Sequence, residues 1–376
     1  MEPSIYSFSL YTALPLMLFF GFYFLFAKTP EKKIFKNYLR SRQIMGIAML
    51  LLSANYSVHF FFGIRFKNAD SAILMNMSTY FLCYSLFSSA LIMLLDRFYI
   101  TKRRVWTHII LWIIFSTLSG VVLFLLPSGI MQKFSLFALA VWLVVFGVVL
   151  ARRVIIAYRR AIRIFNETQA DDIGTYIEWL SIFTYWAVIF GVGCGLLTFL
   201  PDKYVFIWIL SSIPFYSYLF YSYQNYLLFY EQVENAFEQD IQSEEELLTD
   251  TETEPKIVSE KEVPVSYTEI IEKVANWIKT DGYVQQGLTI KELSKILYTN
   301  RTYLSAYIKT TYKMTFREWI TSLRLEYAKN ILKEHPEINI QKLAESSGFL
   351  SRSNFIKLFT EKEGCTPAKW KKANLK

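Results

Sequence analysis

Three cysteines and three histidines are all that the 376 residues contain, and this scarcity removes several kinds of chemistry at once. Cys83 and Cys194 lie inside apolar runs and Cys365 lies near the C-terminus, with no CxxC pair. Neither a disulfide framework nor a zinc site is expected from that pattern. His59 and His108 are isolated, with no HExxH and no paired carboxylates beside them, which excludes an intramembrane protease. Nothing reads as catalytic, and no cofactor or metal is expected. Charge is scarce as well: 19% of the residues are Asp, Glu, Lys or Arg, against about a quarter in an ordinary soluble domain. The chain is instead 53% hydrophobic and 18% aromatic, yet its net charge is +8.

That average conceals three materials. Residues 1–225 carry 19 basic and 9 acidic side chains, residues 226–264 carry 2 and 12, and residues 265–376 carry 19 and 11. The expected division is an apolar module over 1–225, an acidic connector over 226–264 and a basic domain over 265–376.

A helix needs about 20 apolar residues to cross a ~30 Å hydrocarbon core. Seven segments qualify on this reading: 7–27, 43–64, 71–95, 105–127, 133–151, 176–200 and 204–224. No Lys, Arg, Asp or Glu occupies the central part of any of them, and runs of this length imply helices rather than barrel strands. The first is not expected to be a signal peptide, because its basic residues follow it. A retinal-binding protein is excluded, since the seventh span has no lysine for a Schiff base.

The loops set an orientation. Those after spans one, three and five hold 15 basic residues (Lys28, Lys32, Lys33, Lys36, Arg40, Arg42; Arg97, Lys102, Arg103, Arg104; Arg152, Arg153, Arg159, Arg160, Arg163). The opposite loops hold 4: Arg65, Lys67, Lys133 and Lys203. The positive-inside rule then places the N-terminus outside and everything after residue 225 in the cytoplasm. The outer loops are too short for a sensor domain, so a signal must reach the helix bundle, its rim or a partner.

Within the bundle, Asn55 and His59 share a face of the second span, with Asn76 at comparable depth in the third. They are expected to form an interhelical hydrogen-bond cluster. Gly191 and Gly195 predict a close helix contact. Pro214 and the tyrosines at 216, 218, 221 and 223 give the seventh span a Tyr-rich cytoplasmic end, read as an interface belt. From Tyr226 onward the stripe Tyr230, Val233, Phe237, Ile241 and Leu248 predicts a helix continuing the seventh span, with a seam over 226–248 through which a homodimer would form. Residues 249–264 have no period and are expected to be a tether.

The basic domain contains an internal repeat. Leu288, Ile290 and Leu293 recur as Ile338, Ile340 and Leu343; after one insertion Leu304, Ile308, Thr315 and Trp319 recur as Phe355, Phe359, Thr366 and Trp370. Each copy reads as helix-turn-helix: Thr289–Leu297, a turn at Tyr298-Thr299, Asn300 as N-cap and Arg301–Tyr312; then Ile340–Ser347, a Gly348-Phe349 turn, Ser351 as N-cap and Arg352–Lys362. A basic helix-turn-helix domain has double-stranded DNA as its expected partner.

Gly348-Phe349-x-Ser351-x-x-x-Phe355-x-x-x-Phe359 followed by Gly364-x-Thr366-Pro367-x-x-Trp370 resembles the AraC/XylS family of bacterial transcription regulators. The resemblance covers residues 265–376 and implies two recognition helices in successive major grooves, joined by a linking helix around Thr315–Lys333. It departs from the family at Lys313 and Tyr298, where glycine is usual, and at Ala306, where a long polar side chain is frequent. Arg301, Thr302, Ser305 and Lys309 of the first recognition helix, and Arg352, Ser353 and Lys357 of the second, are the expected DNA-facing residues. Arg352 is the candidate for forking onto guanine.

The expected fold class is therefore all-α: a seven-helix membrane bundle and a double helix-turn-helix domain. The expected function is a transcription regulator, not an enzyme, held in a bacterial cytoplasmic membrane with its DNA-binding domain inside. Its partners would be DNA, the bilayer and an unknown small ligand or membrane protein. The alternative is a membrane receptor or scaffold whose helix-turn-helix domain contacts protein.

Overall fold

The structure, a computed structural model, describes residues 3–197, 204–250 and 266–374. Among these residues every regular element is helical apart from one isolated bridge between Gln169 and Thr289. The chain forms two compact units: Met1–Arg160 with Tyr176–Glu231, and Ala161–Thr175 with Gln232–Lys376. Residues 161–175, which the sequence groups with the apolar spans, thus belong to the same unit as the basic domain.

The first unit contains α1 (Pro3–Phe26), α2 (Lys36–Phe62), the short α3 (Ile64–Lys67), α4 (Ala69–Met93), α5 (Lys102–Phe124), the greater part of α6 (Ile130–Thr168), α7 (Glu178–Leu197) and the first half of α8 (Val205–Asp250). Six helices among the described residues are long and apolar enough to cross a membrane, not the seven expected. The difference is the third expected span. It forms α4, but Asn76, Ser78, Thr79, Ser85, Ser88 and Ser89 dilute its apolar character. α4 packs against α2, α5 and α7, so its serines sit within a bundle.

The polar residues of the bundle find one another, as buried polar groups in an apolar medium must. His59 Nε2 lies 2.9 Å from Asn76 Oδ1 and His59 Nδ1 lies 3.3 Å from the Tyr6 hydroxyl. Asn55 Nδ2 donates to Thr79 Oγ1 at 3.2 Å. The expected interhelical cluster is present. Gly191 makes the expected close approach, receiving the Tyr84 hydroxyl on its carbonyl at 2.8 Å. Two of the four tyrosines at the cytoplasmic end of α8 do not form an interface belt. Tyr216 and Tyr223 are buried, Tyr223 sharing a 2.9 Å hydroxyl contact with Ser41, while Tyr221 is exposed. Between α2, α4, α6, α7 and α8 lies an apolar cavity of about 100 Å³, lined by Tyr56, Tyr84, Phe87, Phe183 and Phe215 among others.

In the second unit, α8 runs on to Asp250, as the apolar stripe predicts. Val233 and Phe237 of that stripe are already buried, and Phe237 packs tilted against Phe165 at 4.8 Å between ring centres. Tyr230, counted with the first unit, is also buried, against Phe35 and Tyr38. Much of the proposed dimer seam is therefore occupied within one chain. The side chains of Ile241 and Leu248, and the tether from residue 251 to residue 265, lie outside the described residues.

The remainder of this unit is α9 (Ser266–Lys279), α10 (Ile290–Ile296), α11 (Arg301–Tyr312), α12 (Phe316–Glu334), α13 (Ile340–Ser346), α14 (Arg352–Glu363) and α15 (Pro367–Asn374). One apolar core is built on Leu293, Leu304, Ile308 and Trp319, the other on Leu343, Phe349, Phe355 and Phe359. α12 contributes to both, with Trp319 and Ile320 in the first and Leu325, Ala328 and Leu332 in the second. Each repeat thus has its own core, and the linking helix joins them.

Candidate nucleic-acid interface

The two recognition helices begin where the sequence places their caps. The Asn300 side chain accepts the Tyr303 amide at 2.8 Å at the start of α11, and Ser351 Oγ accepts the Asn354 amide at 3.2 Å at the start of α14. These caps satisfy amides that a helix start leaves without partners. Thr289 and Thr315 each form a full capping box, with Glu292 and Glu318, at the heads of α10 and α12.

The repeat extends to backbone conformation. Tyr298 (φ 51°) and Gly348 (φ 83°) occupy corresponding turn positions, and Lys313 (φ 56°) and Gly364 (φ 73°) corresponding C-terminal positions of the recognition helices. The second copy meets this left-handed requirement with glycine. The first meets it with Tyr and Lys, which carry a local strain of roughly 1–2 kcal/mol each. The departures from the family pattern therefore change the residue and keep the geometry.

Burial separates the faces of both helices. Leu304, Ile308, Phe355 and Phe359 are buried. Thr302, Ala306, Lys309, Arg352, Ser353 and Lys357 are exposed, and Arg301 and Ser305 are partly so. Lys309 is engaged within the chain: its Nζ lies 3.0 Å from Glu167 Oε1.

The linking helix ties the second recognition helix down at its far end. Lys329 of α12 lies 3.0 Å from Glu363 at the end of α14 and 2.6 Å from Glu326. Burial lowers the Lys329 ammonium pKa, but the two carboxylates outweigh it and hold the group above its ordinary value. The pair's contribution to stability is therefore present at neutral pH and is lost as pH rises through the raised lysine pKa.

A second set of contacts joins residues far apart in the sequence. Arg324 of α12 is almost completely buried. Its Nε donates to the Tyr283 carbonyl at 2.8 Å, one terminal nitrogen to the Gln285 carbonyl at 2.7 Å and the other to Asp171 Oδ1 at 2.7 Å. Asp171 Oδ2 accepts the Gly287 amide at 2.7 Å. Beside this pair, Arg317 reaches Asp172 Oδ2 at 2.7 Å and Asn166 Oδ1 at 3.0 Å. The Ala170 amide donates to the Leu288 carbonyl at 2.9 Å, and the Ala170 methyl enters the first apolar core. A segment between the fifth and sixth expected spans is thereby built into the basic domain. The sequence signal was a cluster of acids, Glu167, Asp171 and Asp172, directly after five arginines.

Among the described residues, no group of three or more His, Cys, Asp or Glu side chains is arranged to hold a metal ion.

Comparison with known proteins covers the same C-terminal region. Residues 293–373 match the family described as a helix-turn-helix domain, and this part of the chain is an AraC-type helix-turn-helix domain. The chain is 33% identical over 86 residues to the HTH-type transcriptional regulator YobQ of Bacillus subtilis, covering 23% of this chain and 35% of the relative. It is 32% identical over 87 residues to YtdP of the same organism, covering 23% of this chain and 11% of the relative. It is 26% identical over 118 residues to the Msm operon regulatory protein of Streptococcus mutans, covering 30% of this chain and 42% of the relative. The match thus spans less than half of each relative's length. No solved structure matches the chain significantly.

Proposed function

We propose that the chain is a DNA-binding transcription regulator held in a membrane, coupling a signal received by its apolar helices to gene expression. The observation that carries this reading is the joining, in one chain, of an AraC-type helix-turn-helix domain to six helices apolar enough to cross a bilayer. The relatives of the C-terminal region are transcription regulators by name, which favours regulation over catalysis. Thr302, Ser305, Arg352, Ser353 and Lys357 face the grooves, with Arg301 and Lys309 on or near the phosphates. The basic residues within 28–42, 97–104 and 152–163, the last five in the C-terminal part of α6, support a cytoplasmic side of the inner membrane for that domain, with α4 crossing among its neighbours. Residues 161–175 share a compact unit with the C-terminal domain, which supports a common side for both.

The cavity among α2, α4, α6, α7 and α8 and the polar cluster around His59 are where a ligand would favour one bundle arrangement over another. Without such a difference in affinity no signal passes.

The test uses the full chain in lipid nanodiscs and duplexes selected from a random pool. Affinity should fall steeply with added salt, since neutralised phosphates release counterions. Arg352→Ala should erase the preference at one base position, a loss of about 1–3 kcal/mol of discrimination, while retaining salt-dependent binding. A chain that binds no duplex at any salt would be a scaffold for a protein partner instead.

A further inference from the structure

Glu167, Asp171 and Asp172 meet Lys309, Arg317 and Arg324 one for one, three carboxylates against three cations within the second compact unit. The three pairs are not alike. Asp171–Arg324 is buried, with side-chain exposures of 6% and 1%, and the arginine is further held by two backbone carbonyls. Glu167–Lys309 lies at the surface, with exposures of 33% and 51%, and Asp172–Arg317 is intermediate. The buried pair anchors the segment, and the other two place carboxylate oxygens on cations at or beside the first recognition helix. Lys309 lies on the exposed face of α11, and Arg317 in the first turn of α12.

We propose that residues 166–172 are an acidic clasp that competes with DNA phosphates for Lys309 and Arg317, anchored through Asp171 on Arg324. A carboxylate at 2.7–3.0 Å from a guanidinium or ammonium occupies the donors a phosphate oxygen would use. A cation engaged in this way contributes nothing to phosphate neutralisation until the clasp lets go. The inference rests on the DNA-binding reading and adds to it a specific regulatory contact.

The clasp also has a route to the membrane. Asn166 and Glu167 belong to the last turn of α6, whose earlier part, from Ile130, is one of the apolar helices. Rotation of that helix re-aims both side chains. The Asp171 anchor lies beyond the end of the helix, so the contacts of Glu167 with Lys309 and of Asn166 with Arg317 can open while the anchor remains closed. The two recognition helices would then differ in regulation, because the contacts of the clasp fall on α11, α12 and the segment 287–289, all in or beside the first helix-turn-helix.

The experiment compares wild type with Glu167→Gln/Asp172→Asn, both as the full chain in nanodiscs, binding a fluorescent 30-base-pair duplex of mixed sequence at several KCl concentrations. Both substituted positions lie off the buried anchor, and thermal unfolding of each protein verifies that the fold is intact. Freeing two cations should tighten binding roughly tenfold at moderate salt and steepen the slope of log affinity against log salt by about 2. Equal affinity and slope in the two proteins would overturn the clasp while leaving DNA binding in place. Binding by neither protein would overturn the DNA-binding reading and the clasp with it. Weaker binding by the variant would show that the carboxylates support the DNA-binding geometry, and would also overturn the proposal.

Discussion

Asp171→Ala should destabilise the second unit by about 3–5 kcal/mol, the cost of leaving one member of a buried ion pair without its partner. Arg324 makes the expectation this large. It is 1% exposed, and arginine is almost never so buried unless it is paired. Two of its three bonds are to the carbonyls of Tyr283 and Gln285, which satisfy its protons but not its charge. Asp171 supplies the charge and also receives the Gly287 amide, so truncation strands a cation and an N–H together. Asp171→Asn keeps a hydrogen-bond acceptor and removes the charge, and it should fall between alanine and wild type. The measurement is thermal or denaturant unfolding of the full chain, followed by a signal from Trp277 and Trp319 in the first core. A loss below about 1 kcal/mol for Asp171→Ala would mean that water or another carboxylate takes over, and that the pair does not fasten residues 166–172.

The second large effect is expected at Gly348, on the opposite side of the same arginine. Its φ of 83° lies in the left-handed region, and a β-carbon built there would run into the Val284 carbonyl and come within 2.9 Å of Arg324 Nε. Neither neighbour is free to yield: one is backbone, and the other is the nitrogen that donates to Tyr283. Gly348→Ala therefore combines about 1–2 kcal/mol of backbone strain with about 1–3 kcal/mol of overpacking. It should cost about 2–5 kcal/mol and loosen the second helix-turn-helix from the first. Tyr298, the corresponding residue of the first copy, is 88% exposed, so its side chain has room and the substitution there is tolerated. Unfolding midpoints of Gly348→Ala that match wild type would refute this account of the turn.

Both effects converge on Arg324, and Arg324 is where sequence reading and structure diverge most. The helix-turn-helix elements are readable in the sequence because their determinants are local. Asn300, Thr315 and Ser351 cap helices that start within a residue of where they are expected, and the apolar spacing of Leu304/Ile308 and Phe355/Phe359 selects the buried face. The Arg324–Asp171 pair joins positions 153 residues apart, and no periodicity links them. Counting arginines as phosphate contacts also misleads here, because a basic residue in a DNA-binding domain can be a buried hub. Dividing the chain at residue 225 by net charge placed Asp171 and Asp172 among loop residues, where their identity as partners was invisible.

The membrane module shows the same division. Its spans follow from length and apolarity alone, and the Asn55–His59–Asn76 cluster follows from shared depth. The count differs at α4, because a helix surrounded by others can be serine-rich where one facing lipid cannot. From its place near a helix end Tyr223 reads as an interface residue, since sequence alone does not say which way such a tyrosine points. Its hydroxyl is instead met by Ser41 inside the bundle.

The central claim is that a chain with apolar, membrane-crossing helices binds specific sites on DNA. It is tested most directly by cross-linking the full-length protein in growing cells and sequencing the DNA recovered with it from the membrane fraction. The account predicts discrete enriched sites sharing a sequence, present with wild type and lost with Arg352→Ala/Lys357→Ala, while the amount of protein in the membrane fraction is unchanged. Recovery of no enriched DNA, or of the same sites with the double variant, would contradict it.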